Sequence, residues 1–539
     1  MTSGANRLPR QLLAALTFGP MAVLVLFYLV PIGALAGRFF TIEVVRSLVH
    51  DRTLRRVLWF TTWQATVSTF LTVAIGLVPA YILARFEFRG HRLVMALVTV
   101  PFVLPTVVVG AAFLALLPDG LDHSVWAVLI AHVFFNVAVV VRGVCGLWEQ
   151  LPVDLAAAAR TLGASPWQAI RHITLPLLAP VLYASASIVF LFTFTSFGVV
   201  RILGGPSHPT LEVEIWQRAT RLGDIGAAAV LSVLQLILLA VAVVWFARLQ
   251  RHHRHSLGLR PLAPRVQART SRQRVSVIGV VTAISFAVAL PLVALFERSL
   301  RTGNGYSFAA WRAVFGSAAK AARPAAASSI DTVGALSTSL VFASVAMLIS
   351  VFIGGCASLA IVALGQFGQL LDVGLMLPLA TSAVTIGFGL LITFDTAPLD
   401  WRDAPLMIPL GHALVAIPFV VRITVPVLRS ISPQLRSAAN SLGASPLRAW
   451  AEIDLRFAVR PLATGAGFAL AISLGEFGAT SFLTRQGRET LPIAIEQLLN
   501  RPGALLHAQG YVLATILAAL TLSVLAGVAG FESSGAKYA

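Results

Sequence analysis

Charged residues are scarce in this chain of 539 residues. Aspartate, glutamate, lysine and arginine make up only 12% of the sequence, whereas hydrophobic residues make up 57%. A soluble globular protein has roughly 25% charged and 45–50% apolar residues, so it carries a charged surface that this chain lacks. The composition therefore excludes a soluble enzyme of this length and indicates an all-α integral membrane protein.

Lysine is almost absent, since the only two are Lys320 and Lys537, and each follows an alanine. A phosphate-binding P-loop requires Gly-Lys followed by Ser or Thr. The chain therefore has no P-loop and does not hydrolyse ATP by that route. The net charge of +18 comes almost entirely from arginine. In a chain this apolar, the positive charge indicates arginine-rich cytoplasmic loops that face lipid headgroups. We therefore expect the lipid membrane as a partner and no nucleic acid.

Cysteine is equally rare, because the chain has only Cys145 and Cys356, both in apolar runs. Two thiols without a CxxC spacing do not form a cysteine zinc site. The sequence also lacks HExxH, a motif of zinc-dependent hydrolases, and a GxSxG with partner residues, a motif of serine hydrolases, so nothing indicates a membrane-embedded enzyme. We therefore predict no catalytic residue, no metal site and no cofactor bound by this chain.

Twelve runs reach the length of about 20 mostly apolar residues that a membrane-spanning helix needs. They lie at roughly 11–36, 57–84, 93–117, 124–147, 177–200, 225–247, 275–297, 333–364, 367–394, 404–428, 459–482 and 508–531. The first run is too long for a cleaved signal peptide, and Pro31 and Arg38 stand where small cleavage-site residues would be expected.

A basic linker at 248–274 separates the runs into six and six. It contains eight arginines and no acidic residue. Arginine-rich loops stay on the cytoplasmic side, so the linker and both termini are predicted to be cytoplasmic. Two segments predicted to lie outside, 38–56 and 298–332, are also basic and do not follow this rule.

An internal repeat is the most informative feature of the sequence. With a shift of 280, residues 155–176 align with 435–456, and 11 of the 22 positions are identical where chance would give roughly two. The flanking histidines His132 and His412 align at the same shift. We therefore predict two parallel halves of six spans each, at 1–247 and 275–539.

The repeated segment is a hydrophilic loop, which indicates a contact with another molecule. Its alanines and leucines favour a helix up to Gly163, where a left-handed C-terminal cap is expected. Ser165, Pro166 and Gln168 then form the capping box of a second helix that runs toward Leu175-Pro176. In the second copy Arg448 replaces the glutamine, so only half of the box remains.

The segments AAAARTLGASPWQAIRHITLP, at 156–176, and RSAANSLGASPLRAWAEIDL, at 436–455, resemble the cytoplasmic EAA loop of ABC importer permeases. The resemblance implies the type I ABC importer permease fold. It also implies that each loop, at about 148–176 and 429–456, docks as a coupling helix on one of two copies of a cytoplasmic ABC ATPase subunit. ATP and magnesium would be bound by that subunit, and an extracytoplasmic binding protein would deliver the solute.

The docking role is carried over to the positions that match the family motif. In the first loop these are Ala157, Ala158, Ala159, Gly163, Ala164, Ser165, Pro166, Ile173 and Leu175, and in the second they are Ser437, Ala438, Ala439, Gly443, Ala444, Ser445, Pro446, Ile453 and Leu455. The glutamate that opens the family motif is missing, because Ala157 and Ser437 stand in its place. In the second copy, Leu455-Arg456 replaces the closing Leu-Pro.

Fusion of both halves in one chain resembles the thiamine and ferric-iron importer branch. The segments FTSFGVVRILGG and TLEVEIWQ of the first half are similar to thiamine permeases. The segments SLGEFGATSFLTR and ETLPIAIEQLL of the second half resemble a pattern shared by thiamine, ferric-iron and related phosphonate permeases. The resemblance implies a permease in the prokaryotic cytoplasmic, or inner, membrane that carries thiamine, with ferric iron as the alternative. A secondary transporter with twelve spans is an alternative of another class. It is disfavoured because the arginine cluster at 85–92 is not duplicated at 365–372.

Four polar residues late in the fifth and eleventh spans are candidates for the translocation pathway. They are Glu476, its repeat partner Ser196, and the neighbouring Thr195 and Ser473. A carboxylate within a membrane is costly and often functional, and Glu476 would suit a cationic solute. An interfacial acid satisfied by water or by an amide is the alternative. For His132 and His412 we predict the same role, which is an interhelical hydrogen bond made by each histidine in its own half.

Overall fold

Long apolar helices account for most of the structure, a computed structural model that describes residues 10–39, 42–151, 158–252, 265–303, 305–316, 330–396 and 400–535. Within these ranges, ten helices are long and apolar enough to cross a membrane, and two further helix pairs qualify when each bent pair is taken as one span. Numbered in chain order, the twelve spans are span 1, Gln11–Arg38; span 2, Arg52–Arg85; span 3, His91–Val103 with Thr106–Leu116; span 4, Val125–Trp148; span 5, Trp167–Phe194; span 6, Ile225–Gln250; span 7, Ser271–Leu300; span 8, Thr332–Leu364; span 9, Gln366–Ala380 with Ala383–Thr393; span 10, Met407–Ser430; span 11, Pro446–Gly475; and span 12, Ala504–Phe531. The all-α membrane architecture predicted from composition is confirmed.

Shorter elements connect the spans. The short helices are Ile42–His50, Gly198–Leu203, Leu211–Thr220, Ala309–Phe315, Pro433–Ser441, Thr480–Leu483 and Leu491–Leu499. Phe86–Glu87 pairs in parallel with Val266–Gln267, and Arg301–Thr302 pairs antiparallel with Gly305–Tyr306. Single π-helical turns interrupt spans 1, 5 and 11 at Val25–Leu29, Ile170–Thr174 and Trp450–Leu455.

Spans 3 and 9 differ from the continuous helices that the sequence predicts, because each bends by 99° near its middle. The first break lies at Leu104-Pro105, where the residue before the proline is extended, with ψ 138°. At the equivalent position of span 9, the hydroxyl of Ser382 caps the following helix by accepting hydrogen bonds from the N–H groups of Val384 and Thr385. Two different residues therefore produce the same break in the two copies.

The chain packs as two compact units that do not coincide with the sequence repeat. One unit contains residues 1–45, 218–232 and 299–539, and the other contains 46–217 and 233–298. The sequence repeat divides the chain at the central linker, whereas each packing unit combines segments from both sides of that linker. The linker at 248–274 is described only up to residue 252 and from residue 265.

In the first of these units, span 1 packs with spans 8 to 10. Leu16, Leu24 and Tyr28 lie in one buried cluster with residues such as Ile353 and Leu390. The Tyr28 hydroxyl also bonds to Thr381, and the Arg38 guanidinium donates to the carbonyl of Ile392 at 2.8 Å. The first span of the sequence is therefore part of the unit that holds most of the second half.

In the other unit, span 7 packs against spans 2 to 4. Val277 is buried in a cluster with Ile82 and Phe86, and Val281 and Ile284 pack against the cluster of spans 2, 3 and 4. The Arg298 guanidinium donates to the carbonyl of Ala115 at 3.2 Å. Each unit therefore combines a first span from one half of the sequence with later spans from the other half.

Candidate functional site

The first repeated loop contains a glycine elbow, which we define as residues 158–166. Gly163 has φ +91°, as predicted from its position at the end of an alanine-rich helix. The N–H of Ala164 bonds to the carbonyl of Ala159, and the N–H of Gly163 bonds to that of Arg160. This pair of bonds is the Schellman motif, in which the residue at C′ must adopt a left-handed conformation. Ala157, which precedes this elbow, lies outside the described residues.

The second elbow, residues 438–446, repeats the same backbone. Gly443 has φ +83°, and the N–H of Ala444 bonds to the carbonyl of Ala439 at 3.0 Å. Ser437 precedes this elbow on the helix Pro433–Ser441, and its exposed hydroxyl donates to the carbonyl of Pro433. Both copies of the predicted coupling loop therefore end one helix and start another at a glycine.

The helix after each elbow begins as the sequence predicts. The N–H of Ser165 donates to the side chain of Gln168, and the N–H of Gln168 donates to the Ser165 hydroxyl, which completes a capping box. At the second elbow only the bond from the Arg448 N–H to the Ser445 hydroxyl is present. The loss of half the box is confirmed, and Pro166 and Pro446 occupy the first helical positions.

The second helix of each elbow continues into a span instead of ending near the proline at 176. Span 5 runs from Trp167 to Phe194, and a π-helical turn, in which the Leu175 N–H bonds to the carbonyl of Ile170, precedes Pro176. The wider turn accommodates a proline that has no N–H to donate. Span 11 also has a π-helical turn, although Arg456 stands there in place of the proline. A proline is therefore not required for the π-helical turn. The side chains of Ile173, Leu175 and Ile453 are half-buried, whereas Leu455 is exposed.

Two exposed apolar side chains lie in or directly after each elbow, and the sequence motif assigns them no role. Leu162 and Leu442 are 89% and 88% exposed, and Trp167 and Leu447 are 65% and 50% exposed. They occupy equivalent positions at the shift of 280. Apolar residues at repeated positions of a hydrophilic loop are the signal that would have identified them.

The two elbows differ in one charged contact. The guanidinium of Arg436 donates two hydrogen bonds to the carboxylate of Asp454, one of them of 3.0 Å from Nε to Oδ2. This ion pair joins the helix before the second elbow to the π-helical turn after it. The aligned residues of the first loop are Ala156 and Thr174, which cannot form such a pair.

Glu476 lies directly after span 11, in a break between that span and the short helix Thr480–Leu483. Its buried carboxylate accepts hydrogen bonds from the N–H of Ala479, the N–H of Thr480 and the Thr480 hydroxyl, at 2.8–3.0 Å. His412 Nε2 lies 3.5 Å from the same carboxylate. Amide and hydroxyl groups of its own unit therefore fix this acid in the break.

A buried histidine contacts each break. His132 connects span 4 to the break after span 5, and His412 connects span 10 to the break after span 11. His132 Nε2 lies 2.8 Å from the hydroxyl of Ser196, and its Nδ1 lies 3.3 Å from that of Ser68. His412 lies 2.7 Å from both the Ser473 and the Thr480 hydroxyls. The interhelical hydrogen bond predicted for both histidines is confirmed. Of the other pathway candidates, half-buried Thr195 bonds to the carbonyl of Leu191 on its own helix.

The family model described as "Binding-protein-dependent transport system inner membrane component" matches residues 72–255. This range contains spans 3 to 6, the last part of span 2 from residue 72, and the first elbow.

Several permeases align with the chain. A thiamine transport system permease protein, ThiP, of Brucella suis is 28% identical over 499 residues, which are 88% of this chain and 87% of that protein. ThiP of Salmonella typhimurium is 25% identical over 89% of each chain. A probable molybdenum ABC transporter permease protein of Haloferax volcanii is 33% identical over 271 residues, which are 48% of this chain and 95% of the relative.

Proposed function

The chain belongs to the permeases of binding-protein-dependent ABC importers, with both permease halves fused in one chain, and we propose that its solute is thiamine. The supporting observation is the alignment with thiamine permeases over 499 residues, which extends through both halves. The molybdenum permease aligns with 48% of the chain. The alignment with the thiamine permease therefore covers a larger share of this chain than the alignment with the molybdenum permease does.

The two elbows are the proposed docking sites for two copies of a cytoplasmic ABC ATPase subunit. Leu162 in the first elbow and Trp167 directly after it are exposed, as are Leu442 and Leu447 at the second. A groove on such a subunit would bury these apolar side chains. Since the chain has no P-loop, ATP and Mg²⁺ would bind to that subunit. The loops and the linker are proposed to be cytoplasmic, as the arginine content of the linker favours.

A continuous helix connects each elbow to a break at the far end of the span. Span 5 has 28 residues and span 11 has 30, which correspond to about 42 Å and 45 Å at 1.5 Å per residue. Because each elbow is continuous with its span, a displacement at the elbow would move the break directly. We propose that closure of the ATPase subunits reaches the pathway through these two helices.

The breaks after spans 5 and 11 are the proposed pathway region. Thr195 and Ser196 lie in the break after span 5. Glu476 lies in the break after span 11, and Ser473 lies in the last turn of that span. Irregular backbone within a membrane is tolerated where it is buried in protein or lines a cavity. The carboxylate of Glu476 would favour a cationic solute, and thiamine carries a positive thiazolium ring.

Transport of two labelled solutes tests the substrate. The chain is reconstituted in vesicles with its ATPase subunit and binding protein, and ATP-driven uptake of thiamine and of Fe³⁺ is measured in parallel. Thiamine uptake that unlabelled thiamine suppresses is the expected result. Uptake of Fe³⁺ without uptake of thiamine would contradict the proposed solute while leaving the importer assignment intact.

A further inference from the structure

An apolar groove lies between spans 2 and 7 on the surface of the second unit. Its volume is about 450 Å³, and its walls include Leu77, Val78 and Ile82 from span 2 and Val280 from span 7. This volume is within the range of about 300–1,000 Å³ that small-molecule sites occupy. Only Tyr81 and Ser276 contribute polar side-chain atoms to the lining, so the groove suits a hydrocarbon chain.

The two polar lining residues mark one end of the groove. Tyr81 lies four residues before the end of span 2 at Arg85, and Ser276 lies four residues after Arg272 at the start of span 7. Four residues of helix rise about 6 Å, so Arg85 and Arg272 are one turn nearer the membrane surface than Tyr81 and Ser276. Tyrosine is itself enriched at that depth of a membrane.

A short parallel strand pair fixes the ends of these two helices side by side. Phe86, directly after span 2, pairs with Val266, shortly before span 7. Arg265 anchors the second strand by donating to the carboxylate of Glu149 at 2.8 Å, and it approaches His91 Nδ1 at 3.4 Å. The arginines at both helix ends are therefore held at one end of the same groove.

Positive charge is concentrated around this end. The exposed arginines on the flanking segments are Arg85, Arg89, Arg92, Arg269, Arg272 and Arg274. The nearby acids are Glu149, which is paired with Arg265, and the exposed Glu87. The corresponding segment of the second half, 365–372, contains no arginine and one aspartate. The arginines at 85–92 are thus not repeated in the second half.

We propose that the groove is a binding site for an anionic phospholipid. One acyl chain lies along Leu77, Val78 and Val280, and the phosphate lies between the guanidinium groups of Arg85 and Arg272. Arginine binds phosphate through charge-assisted hydrogen bonds. Basic residues at helix ends that face the membrane are attracted to anionic lipid headgroups. The site requires neither a particular solute nor the ATPase subunit.

Photochemical labelling of the full-length chain in nanodiscs tests this site. The probes are phosphatidylglycerol and phosphatidylcholine that carry the same photoreactive acyl chain, and the readout is labelling of peptides with residues 77–82 and 276–280. We expect at least fivefold more labelling by phosphatidylglycerol. The double variant Arg85→Gln/Arg272→Gln should lose at least fivefold of it, whereas Arg85→Lys/Arg272→Lys should retain most of it.

A second variant fills the groove without changing charge. A Cβ at Gly279, which lines the groove, would meet no atom within 4 Å, so Gly279→Leu is expected to fold and to reduce labelling by both probes. Gly33→Leu, at a helix position with the same open space, and Arg429→Gln, an exposed arginine at the end of span 10, are the matched controls.

Three results would overturn the proposal. Equal labelling by the two lipids would mean that the groove holds any acyl chain. Unchanged labelling in both the glutamine double variant and Gly279→Leu would place the bound lipid elsewhere. Displacement of the label by water-soluble glycerophosphoglycerol would mean that the site binds a free phosphodiester instead of a membrane lipid.

Discussion

Arg436 and Asp454 form an ion pair with two hydrogen bonds across the second elbow. The aligned positions of the first loop carry Ala156 and Thr174. The second elbow is thus held by its glycine motif and by a charged pair, whereas the first has no equivalent pair. Since Asp454 is buried, the pair is screened less than a surface pair would be.

Removal of this ion pair should loosen the second elbow alone. Asp454→Asn leaves the guanidinium of Arg436 without its charged partner, and a hydrogen bond to a charged group contributes about 1.5–3 kcal/mol. Amide hydrogen exchange across 433–455 should become about 10-fold faster. The matched change Thr174→Asn should leave exchange at the first elbow unchanged. Equal exchange at 433–455 in Asp454→Asn and the unmodified chain would show that the pair does not hold the elbow.

The glycines at both elbows should be required for coupling. Valine at φ +91° or +83° is strained by about 1–2 kcal/mol at each position, because a β-branched residue disfavours the left-handed conformation. The double variant Gly163→Val/Gly443→Val should therefore lose most ATP-driven uptake while it still inserts in the membrane. Gly146→Val, within span 4 and with open space around it, is the control. Normal uptake by the double variant would remove the docking role.

The exposed leucines of the elbows should contribute to binding of the ATPase subunit. Burial of a leucine side chain contributes about 1.5–3 kcal/mol, so Leu162→Asp/Leu442→Asp should weaken association at least 10-fold. The measurement is co-purification of the ATPase subunit with the permease. Leu222→Asp changes a leucine that is 72% exposed in another loop and should not alter association. Equal loss in this control would indicate a general effect of surface charge.

Replacement of Glu476 separates a transport role from a purely structural one. In Glu476→Gln, the amide nitrogen cannot accept one of the hydrogen bonds from the N–H groups of Ala479 and Thr480, and an unsatisfied buried donor costs about 1–3 kcal/mol. We expect slower thiamine uptake with an unchanged amount of assembled complex. Glu489→Gln, a half-buried acid in the same unit, is the control. Normal uptake by Glu476→Gln would exclude the pathway role.

The sequence predicted the features that repeat or that depend on local backbone chemistry. The left-handed glycines, the full capping box at Ser165 and the half box at Ser445 follow from a few adjacent residues, so they could be inferred without tertiary information. The histidine bonds could be anticipated because His132 and His412 occupy equivalent positions in the repeat.

The bends in spans 3 and 9 could not be obtained from hydropathy. A window average measures how apolar a segment is and does not detect a change in helix direction. Pro105 was a usable signal for the first bend, but Ser382 in the second copy was not. The packing of span 1 with spans 8 to 10 could not be predicted from the sequence either. It depends on contacts between residues such as Tyr28 and Thr381, which lie far apart in the chain.

The central claim is that an ATPase subunit, docked at the two elbows, drives thiamine through this chain. The most direct test compares thiamine uptake in vesicles that contain the chain and its binding protein, with and without the ATPase subunit. We predict uptake only when the ATPase subunit and hydrolysable ATP are both present, and its loss in Gly163→Val/Gly443→Val. Uptake driven by a proton gradient without the ATPase subunit would contradict the account.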